Sequence, residues 1–269
     1  QLHDKTRQPP RPASVDDGQS RRKPLIQAAI DAMVREDAHA NDPRVPKLGV
    51  EGQVALEVGQ AVVAPRVAVP ECYEILKANV WIRYPESMQI FVLLGATAGS
   101  GVSTAAANFA ASLARDGTGK VLLIDANARP PGQPILGLQR PEGGITLERL
   151  LTGGATWRRP ALGPSNLYML PRDTNQLISP SMLKSDTFDR FLQTLREFFR
   201  NVVVDAPPAT GHPETLLLTR KADGVILVIE SEQTSAQSAL WAKRQIETAG
   251  GNLLGVILNK RKYRIPEWL

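Results

Sequence analysis

The chain has 269 residues, 42% of them hydrophobic, with 32 lysines and arginines against 27 acidic residues and a single cysteine, Cys72. Such a chain can build one α/β core plus a tail; it cannot form an internal disulfide, and a cysteine-based zinc cluster is not expected. The net charge of +5 suits an acidic partner, a membrane surface or nucleic acid without selecting one, and no apolar run reaches the ~18–20 residues of a bilayer span.

Residues 1–23 are dominated by Pro, Arg, Asp, Ser and Gln, a composition that buries little and reads as disordered. Arg21-Arg22-Lys23 forms a basic cluster within it. Residues 25–34 place apolar side chains at helical spacing and fit a short amphipathic helix. Residues 41–70, rich in Pro, Gly and Val, read as linker with a marginal strand near 54–63. The expected organisation is therefore a disordered or linker tail over 1–70 and a folded domain over 71–269. Glu71–Trp81, preceded by Pro70 and followed by Pro85, predicts the first helix of that domain.

Ile90-Phe91-Val92-Leu93-Leu94 is a short apolar run of the kind buried as a strand. The small-residue loop Gly95-Ala96-Thr97-Ala98-Gly99-Ser100-Gly101-Val102-Ser103-Thr104 follows, then the alanine-rich helix Ala105–Ala114. Strand, glycine-rich loop and helix make the layout of a phosphate-binding loop, in which backbone N–H groups and a helix N-terminus receive an anion. Ala98, Gly99, Ser100, Gly101, Val102, Ser103 and Thr104 are the candidate cradle, with the Ser103 hydroxyl placed to hold Mg²⁺. A Walker A loop ends in Gly-Lys-Ser/Thr, whereas this loop ends Gly101-Val102-Ser103. The variant loop that carries a second lysine five residues earlier has Thr97 at that place here. A tight turn without a ligand is the alternative reading of the stretch.

Lys120–Asp125 reads as a strand closed by a carboxylate, followed by Asn127, Arg129 and the breakers Pro130 and Pro131. Residues 143–151 predict a loop and short helix, and Asn166–Pro171 a further strand. Ser181–Phe199 predicts one helix with Leu183, Phe188, Phe191, Leu192, Leu195 and Phe198 as its core stripe. Asn201–Asp205 is a second strand ending in a carboxylate, before Ala206-Pro207-Pro208. Gly224–Glu230 and Leu253–Asn259 are further strands, with a helix at Thr234–Ala249 between them. Lys260-Arg261-Lys262-Tyr263-Arg264 forms a basic exit. Alternating strands and helices imply an α/β doubly wound, mainly parallel sheet, with ligands at the strands' carboxyl ends. Asp125 and Asp205 close two such ends; each could instead serve only as a helix cap or loop anchor. His3, His39 and His212 are scattered and suggest neither a metal nor a catalytic triad.

Together, Gly95–Thr104, Leu122–Arg129, Pro180–Leu183 with Phe188, Val202–Pro208 and Gly255–Asn259 resemble the bacterial tyrosine kinases of capsular and exopolysaccharide biosynthesis. These P-loop proteins are themselves similar to the MinD and ParA ATPases. The resemblance implies catalytic roles at Asp125, Asn127 and Asp205, metal binding by Ser103, Asp125 and Asp205, and nucleotide contacts from the loop, from Arg129 and from Asn259 at the base. It implies ATP and Mg²⁺ as cofactors, weakened or lost here. Val102 stands where the family has its phosphate-binding lysine, and Asn127 where it has the second aspartate of an Asp-x-Asp pair. Glu71, Glu74 and Lys77 stand in the helix that carries a Glu-x-x-Arg-x-x-Arg self-assembly motif, and Tyr263 alone represents the family's C-terminal tyrosine cluster.

The expectation from these departures is a catalytically degenerate adaptor or regulator of a membrane polysaccharide co-polymerase, engaging that partner's Wzz-like cytoplasmic segment. Its expected location is cytoplasmic, at the inner face of the cytoplasmic membrane. A homo-oligomer is compatible with the family, and nucleic acid is not an expected partner. Two alternatives stand beside it. One is an active tyrosine autokinase whose missing cation comes from elsewhere, Arg129 being nearest the motif. The other is a ParA/MinD-like positioning ATPase whose basic exit touches DNA.

Overall fold

A computed structural model of the chain describes residues 69–83, 90–127, 147, 166–171 and 178–261. The expected tail helix at 25–34, the marginal strand at 54–63, Arg129 and Tyr263 lie outside the described residues. In chain order the elements are α1 (Glu71–Arg83), β1 (Ile90–Gly95), α2 (Val102–Arg115), β2 (Val121–Asp125), β3 (Leu167–Leu170), α3 (Pro180–Leu183) and α4 (Asp186–Phe198). They continue with β4 (Asn201–Asp205), α5 (Pro213–Lys221), β5 (Gly224–Glu230), α6 (Ala236–Thr248) and β6 (Leu253–Asn259).

Among the described residues, six parallel strands form one sheet in the order β3-β2-β4-β1-β5-β6. Parallel strands covered on both faces read as unbroken apolar runs, which is why β1, β2 and β4 are buried at every position. Alternate side chains serve opposite faces. Ile90, Val92 and Leu94 pack with Phe188, Phe191, Leu192 and Leu195 of α4. Phe91 and Leu93 pack with Ala105, Ala106, Phe109, Ala110 and Leu113 of α2. The alanines let α2 lie close on the sheet, and Phe109 fills the remaining depth, edge-on to Phe91 at 5.5 Å between ring centroids.

The doubly wound sheet expected from the sequence is present. The single helix expected over 181–199 is two helices. Ser179 Oγ accepts the Met182 N–H to cap α3, and Ser185 Oγ accepts the Phe188 N–H to cap α4 while donating to the Met182 carbonyl. Serine competes well for backbone groups at such a position, and the chain restarts there instead of continuing. The core stripe holds: Leu183, Phe188, Phe191, Leu192 and Leu195 are buried, with Phe198 packed partly buried against them. The helix of the phosphate loop begins at Val102, three residues before its expected start, and α5 is an element the pattern did not suggest. Of residues 143–151 only Leu147 is described, and it is buried.

Helix α1 is tied to α2 by charge. Lys77 Nζ bonds the Ser112 carbonyl at 3.2 Å and pairs with Asp116 at 2.6 Å and Glu74 at 2.8 Å, and Glu74 also meets Arg115 at 3.3 Å. Burial pushes the Lys77 ammonium down, and its two carboxylates more than offset this, leaving it above the usual lysine value. A raised lysine contributes its stability in full below the unfolded value and loses it only as pH climbs through the folded one, so the tie is complete at neutral pH.

Candidate nucleotide site

The strand order brings the phosphate loop and both strand-end carboxylates to one sheet edge. β1 lies between β4 and β5, and successive crossovers leave it in opposite directions, the arrangement that opens a crevice at the strands' carboxyl ends. Asp125 and Asp205 are direct register partners on β2 and β4, and Leu93 of β1 is level with Asp205. Neighbouring strands run about 4.8 Å apart, so the two carboxylates are side by side. Both are buried, Asp125 2% and Asp205 0% exposed.

The loop keeps the conformation its glycines permit. Gly99 and Gly101 lie at φ +82° and +83°, in the left-handed region. Glycine suits position 101 for its φ, and a Cβ there would fall 2.2 Å from Asn259 Nδ2 and displace that amide. Ser100 Oγ donates to the Thr97 carbonyl at 2.7 Å and closes the loop on itself. The turn after β4 braces it from behind: the Ala209 N–H bonds the Gly95 carbonyl and the Thr210 hydroxyl the Ala96 carbonyl. α2 opens without a side-chain cap, as a helix start does when its first N–H groups are left for an anion.

Val102 is 6% exposed and belongs to the apolar cluster beneath the sheet, its Cγ2 turned towards Gly95. Of this residue, only the backbone N–H can serve a phosphate. Asn127 reaches three ways. Its N–H donates to Asp125 Oδ1 at 3.2 Å, and its amide nitrogen lies 3.2 Å from Asp205 Oδ1 and 3.5 Å from Ser103 Oγ. Ser103, Asp125, Asn127 and Asp205 thus converge beside the loop. Asn259 joins from β6, its amide donating to the Ser100 carbonyl at 2.9 Å. Ala98 and Gly99 on the loop and Thr104 in the first turn of α2 are exposed to solvent.

One residue here was missed from the sequence. Lys260, read there as part of a basic exit, has its Nζ 2.8 Å from the Gly99 carbonyl and 3.0 Å from Glu230 Oε2. Its backbone sits at φ +54°, which turns the side chain back over the loop. The signal that could have found it is its place directly after Asn259 at a strand's carboxyl end.

These features define a P-loop NTPase-like α/β protein. No family model matches the chain. Tyrosine-protein kinase CpsD of Streptococcus pneumoniae serotype 4 is 29% identical over 209 residues, covering 76% of this chain and 90% of that protein. The solved chimerical protein CapA2B2 superposes with a TM-score of 0.64 at 25% identity, over 72% of this chain and 85% of that one. The kinase domain of the Escherichia coli tyrosine kinase ETK shares the fold at a TM-score of 0.64 and 22% identity, over 76% and 84% of the two chains. The protein is thus bacterial-tyrosine-kinase-like in sequence and in fold. A more distant neighbour in fold, cobyrinic acid a,c-diamide synthase of Mycobacterium smegmatis, was solved with bound ADP and magnesium (TM-score 0.54, 20% identity, 66% of this chain and 76% of that one). Among the described residues no helix is long and apolar enough to cross a membrane.

Proposed function

We propose that the chain is a bacterial-tyrosine-kinase-like P-loop protein of capsule or exopolysaccharide biosynthesis and export in which phosphoryl transfer has been lost. It acts as a regulator or adaptor of a membrane polysaccharide co-polymerase, and that partner's cytoplasmic segment holds it at the inner face of the cytoplasmic membrane. The observation that carries this reading is the burial of Val102. Phosphoryl transfer depends on positioning and on neutralising the charge of the outer phosphates. The position that would supply that charge is an apolar residue packed into the core. Asn127 deepens the deficit, because an amide can neither accept a proton from a tyrosine hydroxyl nor bring charge to a metal.

The purified chain, incubated with ATP and Mg²⁺, is expected to show no phosphotyrosine by immunoblot or mass spectrometry. An ATP-dependent signal on Tyr263 that disappears in Asp205→Ala overturns the reading. Retention of the partner's cytoplasmic segment by the same unphosphorylated chain tests the adaptor half.

A second reading has one observation in its favour. The Lys260 ammonium already touches the loop's outer face at Gly99, and its side chain is about half exposed, on a flexible stem. If Lys260 replaces the missing cation, the natural chain binds ATP and Lys260→Ala loses it.

A further inference from the structure

In a P-loop, a divalent cation sits between the hydroxyl that follows the loop and an acidic strand end, bound by oxygen atoms. Here those oxygens are Ser103 Oγ and Asp205 Oδ1. The space between them is already served by the Asn127 amide nitrogen, 3.5 Å from the first and 3.2 Å from the second. A carboxylate only accepts hydrogen bonds, so Asn127 must present its NH₂ side to Asp205. That group has two hydrogens, one for each oxygen. Asn127 is held in place by its own N–H on Asp125 Oδ1, which also gives the neighbouring carboxylate a donor.

Magnesium does not fit this donor set. It demands near-octahedral oxygen ligands at about 2.0–2.1 Å, and here two of its oxygens face an N–H donor that carries partial positive charge of its own. Among the described residues no group of three or more His, Cys, Asp or Glu side chains is placed to hold a metal.

We propose that the Asn127 amide is a built-in replacement for the divalent cation: it bridges Ser103 and Asp205, keeps the loop and the two strand ends together without metal, and excludes Mg²⁺ from that place. The same substitution that removes a catalytic carboxylate thereby conserves the shape of the site. The proposal rests on reading residues 95–104 as a phosphate loop and is independent of the adaptor role.

The test uses the full chain without nucleotide, with Mn²⁺ as the probe, followed by manganese EPR and by thermal unfolding in EDTA and in millimolar Mn²⁺. The natural chain is expected to leave the EPR signal of free Mn²⁺ unchanged and to unfold at the same temperature in both solutions. Asn127→Asp puts three carboxylates together; it is expected to unfold about 4 °C or more lower in EDTA, to recover in Mn²⁺ and to bind the ion. Asn127→Ala removes both N–H donors without adding charge and is expected to acquire a Mn²⁺ response of its own, which keeps the test open if the aspartate variant does not fold. Mn²⁺ binding by the natural chain that is lost in Asp205→Asn overturns the proposal. So does a failure of Asn127→Ala to respond to Mn²⁺, since the amide is then not what excludes the metal. ATP titrated separately into the same proteins tests the loop itself: failure of all of them, and of Val102→Lys, to bind it counts against a nucleotide site, while the Mn²⁺ results still decide the role of Asn127.

Discussion

With lysine in place of Val102, the chain is expected to bind ATP tenfold to a hundredfold more tightly than the natural protein, as measured by calorimetric titration. Hydrogen bonds to charged groups contribute about 1.5–3 kcal/mol each, and about 1.4 kcal/mol is a factor of ten in affinity. The rest of the cradle is in place: both left-handed glycines, the Ser100 closure and the uncapped start of α2. Val102 Cγ2 and Ser100 Oγ both lie against Gly95, so the valine side chain already runs towards the foot of the loop, and a longer stem in that direction is expected to bring its ammonium to the loop interior. A gain confined to Val102→Lys means an intact loop that has lost its ligand. Micromolar binding by the natural chain that vanishes in Lys260→Ala would instead promote the reading of an active enzyme with a substitute cation.

Replacement of Phe109 by alanine is expected to cost about 3–5 kcal/mol, the usual range for a fully buried phenylalanine. The ring is completely buried, set edge-on to Phe91 in the layer between α2 and the sheet, and the helix around it offers mainly alanines (Ala105, Ala106, Ala110), too short to close the gap from that side. Domains of this kind have about 5–15 kcal/mol in total, so this one change removes a large share of the margin. The thermal midpoint is expected to fall by roughly 10 °C, at about 2–4 °C per kcal/mol for a domain of this size. A shift under about 2 °C would mean that α2 collapses onto the sheet and closes the cavity.

The strand ends were legible in the sequence because three or four apolar residues closed by aspartate leave little choice of face, burial or direction. The loop was legible because its glycines are tied to one backbone geometry. What was not legible depends on distant partners. That Val102 points into the core follows from where β1 and α2 meet. The loss of a carboxylate at Asn127 could be read, but not that the amide turns to Asp205, 78 residues away. Lys260 looked like one of five residues in a charged run, and only the position of β6 and its own left-handed backbone set it against Gly99. The break between α3 and α4 has a local cause, Ser185, but a serine within an otherwise regular apolar stripe is ordinary on a helix face until its cap is seen. α5 leaves little trace in the sequence because Leu216-Leu217-Leu218 is too short a run to show a period.

The bond from Asn259 to the loop spans 159 residues, and that from Lys260 spans 161. During synthesis the loop and α2 leave the ribosome long before β6 exists, at ordinary rates about ten seconds or more earlier. The loop therefore lacks its contact at Gly101 until β6 docks and Asn259 seats against it. The maturation of this site is timed by the synthesis of β6, so a nascent protein that has not yet made Asn259 and Lys260 would hold the whole loop sequence without the outer wall that finishes it.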